Sequence, residues 1–151
     1  MGKKMIKRLI AGMLTAAVAI PTNFMPVQAA KQTAEDYVIY PTPHKMEYQE
    51  GDYILGKEMN VIYDTGIDEA TKDRLEEAAA LKDIKVKESD EPKKGATNVY
   101  VGVHGEDGKA EDYITKEYAP GDALFENTDS YFLASDENVI SVLGKDTDSA
   151  F

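Results

Sequence analysis

The 151-residue chain has no cysteine and no tryptophan, only two histidines, and too little basic charge to balance its acids. Without cysteine there is no disulfide staple and no cysteine for a lipid anchor, so a folded domain here must be held by its core. Seventeen basic residues against 28 acidic ones give a net charge of −11. Such a surface repels nucleic acid and anionic membrane, which excludes both as partners.

The basic residues are unevenly placed. Lys3, Lys4, Lys7 and Arg8 open the chain with no acid among them, and Leu9 to Ile20 is apolar apart from Gly12 and Thr15. That run is too short to span a bilayer as a helix and fits the apolar region of a secretory signal. Pro21 and Pro26 break the helix. Val27 and Ala29 then supply small residues at the −3 and −1 positions of a cleavage between Ala29 and Ala30. Residues 1–29 are therefore expected to be a cleaved signal peptide, leaving a protein that is secreted, with cell-surface attachment open for a longer parent. Loss of four basic residues leaves 13 against the same 28 acids, a net charge of −15. The remaining part, about 120 residues, is the size of one ordinary domain.

Residues 30–37 read as a polar leader. Val38-Ile39-Tyr40 is a β-type run stopped by Pro41 and Pro43, which force an extended segment. Residues 44–49 and 53–55, joined across Glu50-Gly51-Asp52, read as a hairpin, and Asn60 to Tyr63 as a further strand. Asp68 is placed to cap a helix over Ala70 to Lys82, where Thr71, Leu75, Ala78 and Ala79 share one side. Ile84 and Val86 begin another strand, and a polar loop runs from Ser89 to Thr97. Asn98 to Val103 is the buried central strand. Residues 106–126 read as irregular, with one helical turn around Ala110 to Tyr113. Residues 130–134 and 139–143 pair as a hairpin across Ser135 to Asn138. The predicted fold is α+β, an α/β sandwich: a mixed sheet with one or two helices packed on one face. Asp146 or Thr147 would cap a helix whose first core-facing residues are Ala150 and Phe151, so residues 146–151 are expected to begin an element that is cut short.

No constellation of reactive residues emerges. His44 beside the double proline and His104 after the central strand have no metal-ligand spacing between them, and a structural or solvent-facing role is expected for each. Gly102, Gly105 and Gly108 lack the spacing of a phosphate loop, and Glu106 and Asp107 would repel phosphate, so this stretch reads as a turn. The pairs Glu106-Asp107 and Glu111-Asp112 read as solvated faces. No serine lies in a G-x-S-x-G elbow. Asp146 and Asp148 lack the rest of a calcium loop. The residues thus assign no catalytic, cofactor or metal position.

Three stretches carry a family resemblance. Tyr40-Pro41-Thr42-Pro43-His44-Lys45-Met46-Glu47-Tyr48, with Gly51 and Tyr53, resembles the opening of bacterial glycoside hydrolases acting on β-linked N-acetylhexosamines. Gly66 to Lys72 with Arg74 to Glu77 resembles the first helix of the family-84 group, the β-N-acetylglucosaminidases, some of them named hyaluronidases or hyalurononglucosaminidases. Ser130-Tyr131 and Val139 to Asp148 resemble that group's final hairpin and the start of its next helix. The proline-rich opening is also similar to the N-terminal domain of family-20 hexosaminidases.

The resemblance implies that residues 38–145 are a small non-catalytic domain packed ahead of a (β/α)8 barrel. In that family the barrel cleaves by substrate assistance with two adjacent aspartates. This chain has no Asp-Asp dipeptide, so no catalytic residue carries over, and the chain alone is expected to be inactive. The partner implied is the parent's catalytic barrel, with glycan reached only through the parent. No cofactor is implied, and no membrane contact after signal cleavage. A competing reading is a self-standing carbohydrate- or surface-binding module, although tryptophan, the commonest sugar-stacking residue, is missing. A family-20 hexosaminidase parent is the other alternative.

Overall fold

The structure, a computed structural model, describes residue 39 and residues 42–47 and 55–150. It comprises two units, Met1–Tyr48 and Gln49–Phe151. In the first, the described residues form no regular element, and Thr42 and His44 to Glu47 are exposed. The strand expected from residue 44 is therefore not formed at 44–47, where the alternating side chains bury no face. Leu55, the last residue of the expected hairpin, is exposed and in no strand, while residues 48–54, the run at Val38 and Tyr40, the polar leader and the signal region lie outside the described residues.

The second unit holds β1 (Glu58–Tyr63), α1 (Glu69–Ala80), β2 (Lys85–Glu88), β3 (Thr97–Val103), α2 (Lys109–Tyr118), a 3-10 turn (Asp122–Phe125), β4 (Tyr131–Asp136) and β5 (Val139–Gly144). The strands form one mixed sheet in the order β2-β1-β3-β5-β4. All neighbours are parallel except β4 and β5, which form the expected antiparallel hairpin with Leu133 opposite Val142. Its turn is tight, with Glu137 at φ 44°. β3 is central and buried along its whole length, as its run of valines predicts.

Side chains alternate across the sheet and divide the core in two. On one face Val61, Val99, Val101 and Val103 pack with Leu75 and Ala79 of α1 and with Ile84. On the other, Ile62, Tyr100 and Leu143 pack with Ala110 and Ile114 of α2 and with Phe125. The mixed sheet and its two helices are as expected, but the helices lie on opposite faces rather than one. Topology supplies the reason. From β1 the chain steps outward through α1 to β2, whereas from β3 it passes through α2 to the other side of β3, entering at the edge strand β4 and returning on β5, parallel to β3. Parallel crossovers are right-handed, so opposite steps put their helices on opposite faces.

α1 starts where the sequence placed it. The Asp68 side chain accepts a hydrogen bond from Thr71 N at 2.8 Å, satisfying one of the free N–H groups of the first turn. α2 replaces the irregular stretch expected at 106–126. Ala110, Tyr113, Ile114 and Tyr118 recur at helical spacing, and Ala110 and Ile114 are fully buried against β3 and β5. Ala119 in the left-handed conformation (φ 47°) ends the helix just before Pro120.

Candidate functional site

The strand order reverses direction between β1 and β3, and the carboxyl ends of these two strands open the crevice where sheets of this kind usually take a ligand. Here that crevice is filled by the protein itself. Asp64 follows β1 directly and is only 3% exposed. Its two carboxylate oxygens accept hydrogen bonds from Ala110 N at 2.8 Å and Glu111 N at 3.0 Å, two of the free donors in the first turn of α2. The helix N-terminus favours negative charge, and Asp64 delivers it from 46 residues away. Burial pushes the Asp64 carboxyl above its ordinary value, and the two N–H donors partly offset that rise.

Glycines make the fit possible. A Cβ at Gly108 would lie 2.0 Å from the Asp64 carboxyl carbon, and one at Gly102 would lie 2.5 Å from Asp64 Oδ2. The run Gly102, Gly105, Gly108 is thus the turn the sequence predicts, but one that leads straight into α2 and closes on a side chain rather than a phosphate. Gly105, at φ +86°, turns the chain away from β3.

The same turn is fastened a second time. Glu111 is buried, and its carboxylate accepts from Gly105 N at 2.6 Å and Asp107 N at 2.9 Å. This corrects the reading of Glu111 as part of a solvated face, since the loop N–H groups replace water around it. Asp112, its neighbour, is exposed as expected, and so are Glu106 and Asp107. His104 sets its Nδ1 3.1 Å from Glu111 Oε1 and stacks on Phe125 at a centroid separation of 4.3 Å. The structural role expected for it holds, and His44 is exposed.

Beside this turn lies an open cleft of about 330 Å³, bounded by His104, Glu111, Asp112, Thr115, Lys116 and Asp122 among others. Its most buried acid, Glu111, is committed to loop N–H groups, and its remaining carboxylates face solvent. No cluster of three His, Asp or Glu side chains among the described residues could hold a metal. Asp146 caps the last turn, accepting from Ser149 N at 2.8 Å and Ser149 Oγ at 2.6 Å, as its expected capping role requires. Ala29 and Ala30 lie outside the described residues. Sequence reasoning missed Asp64. Its signal was an acid directly ending a buried apolar run, with two glycines downstream to receive it.

The family model for glycosyl hydrolase family 20, domain 2, matches residues 36–151. The chain belongs to this family. A solved structure described as "Structure of CpGH84D" is similar at 41% identity and a TM-score of 0.72, over 77% of this chain and 19% of that one. The chain thus spans about a fifth of the length of that relative. No curated protein matches. The resemblance to the N-terminal, non-catalytic domain of family-84 and family-20 glycoside hydrolases therefore holds.

Proposed function

We propose that this accessory domain of a glycoside hydrolase belongs to a secreted enzyme that removes β-linked N-acetylglucosamine from glycans, and that it scaffolds a (β/α)8 catalytic barrel. The observation that carries this reading is the family match over residues 36–151 joined to a fold whose buried acids among the described residues, Asp64 and Glu111, are both held by backbone N–H groups of the α2 N-terminus and the turn before it. A carboxylate held by backbone N–H groups in this way stabilises a helix and a turn and is not free to transfer a proton. The reading takes its address from the signal-like residues 1–29 and its substrate from the family-84 resemblance, including the hyaluronidase-type members of that group. The domain's partner is then the catalytic barrel of the parent, and glycan meets the protein only there.

The test is hydrolysis of a chromogenic β-N-acetylglucosaminide by the purified chain, beginning at Ala30. No turnover above a heat-treated control is expected. Robust turnover blocked by an N-acetylglucosamine-type inhibitor would overturn the scaffold reading. Export is tested separately, by expressing residues 1–151 in a bacterial host. Cleavage after Ala29 and recovery from the medium are expected, and retention of an uncleaved chain inside the cell would sink it.

A further inference from the structure

The two edges of the sheet are built differently. β4 carries no charge from Tyr131 to Ala134, whereas β2 is four residues long and reads Lys85-Val86-Lys87-Glu88. β2 pairs with β1 in parallel, Lys85 N donating to Lys57 O at 3.0 Å and Ser89 N to Val61 O at 2.9 Å. Alternate residues of a parallel strand turn their N–H and C=O groups to the same side. Those of Lys85 and Lys87 therefore face β1, and those of Val86 and Glu88 point away from the sheet. Among the described residues nothing pairs with that outer side.

The side chains of this edge are sorted by face. Val86 packs against the α1-side core and is half-buried, and Glu88 on the same side lies 3.6 Å from Lys72 Nζ. Lys85 and Lys87 alternate with them and stand on the other face. Lys87 reaches Glu58 at 2.7 Å, and the second oxygen of Glu58 bonds to Lys93. Lys85, with Lys57 and Lys82 close by in the chain, is exposed and has no ion pair among the described residues. Asp83 is the one exposed acid between them. In a protein of net charge −11 this edge is locally cationic.

We infer that the outer edge of β2 docks an extended protein segment in which acidic residues alternate with β-branched apolar ones. The open N–H and C=O groups of Val86 and Glu88 supply the main-chain pairing. The acids of the segment then flank Lys85 and Lys87 on one face, and its apolar residues lie beside Val86 on the other. Lysine on an edge strand is a common guard against strand addition, and here the guard is selective. A second copy of β2 would set lysine against lysine across the new pair, whereas an acidic strand turns the same groups to attraction. Nucleic acid and membrane offer charge but no strand, so neither can use the open main-chain groups. The inference goes beyond the accessory-domain reading and stands without it.

The test titrates the purified chain with a synthetic peptide of about seven residues alternating Glu and Val. The same peptide with Lys in place of Glu, and a fully N-methylated version of the acidic one, serve as controls. Amide NMR shifts and amide exchange in β2 are the readouts. Saturable shifts at Val86 and Glu88 are expected, with exchange of these two amides slowed severalfold. Neither control peptide should bind. Lys85→Gln with Lys87→Gln, both at exposed positions, should weaken binding roughly fivefold, and added salt should weaken it further. No saturable binding of the acidic peptide, or shifts away from β2, would overturn the inference. Equal binding of the N-methylated peptide would reduce the edge to a patch of charge and overturn it too, as would binding that survives the lysine substitutions. None of these readouts depends on hydrolysis, so loss of the enzyme reading and loss of this one are told apart.

Discussion

The Asp64 carboxylate occupies the space that a side chain at Gly108 would need, with its carboxyl carbon and Oδ1 both 2.0 Å from the position of a Cβ there. Asp64 also holds two donors of the first turn of α2, Ala110 N and Glu111 N, so the clash and the cap are one arrangement. Gly108→Ala must push the carboxylate off the helix, and a loss of about 3 kcal/mol is expected from overpacking and the freed donors. Asp64→Ala alone should cost about 2 kcal/mol, because it strands buried N–H groups. Adding Gly108→Ala to Asp64→Ala should then cost much less than Gly108→Ala alone, since the obstructing group is gone. Urea unfolding of the four proteins measures this coupling. Strict additivity would show that the two residues do not share the site.

How much of this could be read beforehand depended on the range of the forces involved. α1 was legible because its cap and its apolar side are local, Asp68 lying three residues from the Thr71 N–H it receives. The β4–β5 hairpin was legible for the same reason, its two apolar runs being joined by a short polar turn. α2 was obscured because its cap comes from Asp64, 46 residues away, while the residue before the helix is a glycine with no side chain to announce it. Glu111 was misread because local sequence shows an acid among acids, and only the folded turn brings Gly105 N and Asp107 N onto it. The opposite placement of the helices follows from strand order, which no local pattern contains.

Acid should loosen the β1–β2 edge in a defined way. Glu58 on β1 bonds to Lys87 of β2 and to Lys93 beyond it, and these contacts hold its carboxyl down at about 2, against an ordinary 4.5. A carboxyl with a lowered value contributes stability that is present above about 4.5 and is lost as pH falls toward 2. Asp64 acts in the opposite sense. Its raised value means that its contribution is full below its ordinary 3.8 and is lost as pH rises through the raised one. Glu58→Gln should therefore flatten the loss of stability between pH 4.5 and 2, and Asp64→Asn should steepen it. Urea midpoints across that range check both, and an unchanged slope in Glu58→Gln would show that the exposed pair is screened away.

The loop from β2 to β3 is held by a pair of buried amides. Asn98 Oδ1 accepts from Lys93 N at 2.7 Å and Asn60 Nδ2 at 3.1 Å, while Asn98 Nδ2 donates to Lys93 O at 3.1 Å. Asn60 Nδ2 also reaches Glu91 O at 2.8 Å. Replacing Asn98 by Ala leaves several of these groups without a partner inside the fold, and a loss of about 3 kcal/mol is expected. Asn98→Asp keeps the acceptor but removes the donor to Lys93 O, so it should recover part of that loss. Thermal unfolding of the two variants distinguishes them, and equal losses would mean that the side chain matters only for packing.

Two apolar truncations should separate the covered face of the sheet from the uncovered one. Ile114 of α2 is fully buried among Ile62, Tyr100 and Leu143. Ile114→Ala removes packing that the rigid sheet cannot close over, and a cost of about 3 kcal/mol is expected. Leu133, of comparable size, lies on β4 at 47% exposure, and Leu133→Ser should change stability by no more than about 0.5 kcal/mol. The contrast follows from burial, since a side chain already in water has little transfer energy to lose. Urea unfolding of the two variants measures it directly. A large loss for Leu133→Ser would mean that the β5–β4 surface is covered, whereas a small loss for Ile114→Ala would mean that α2 is not packed on β3 and β5.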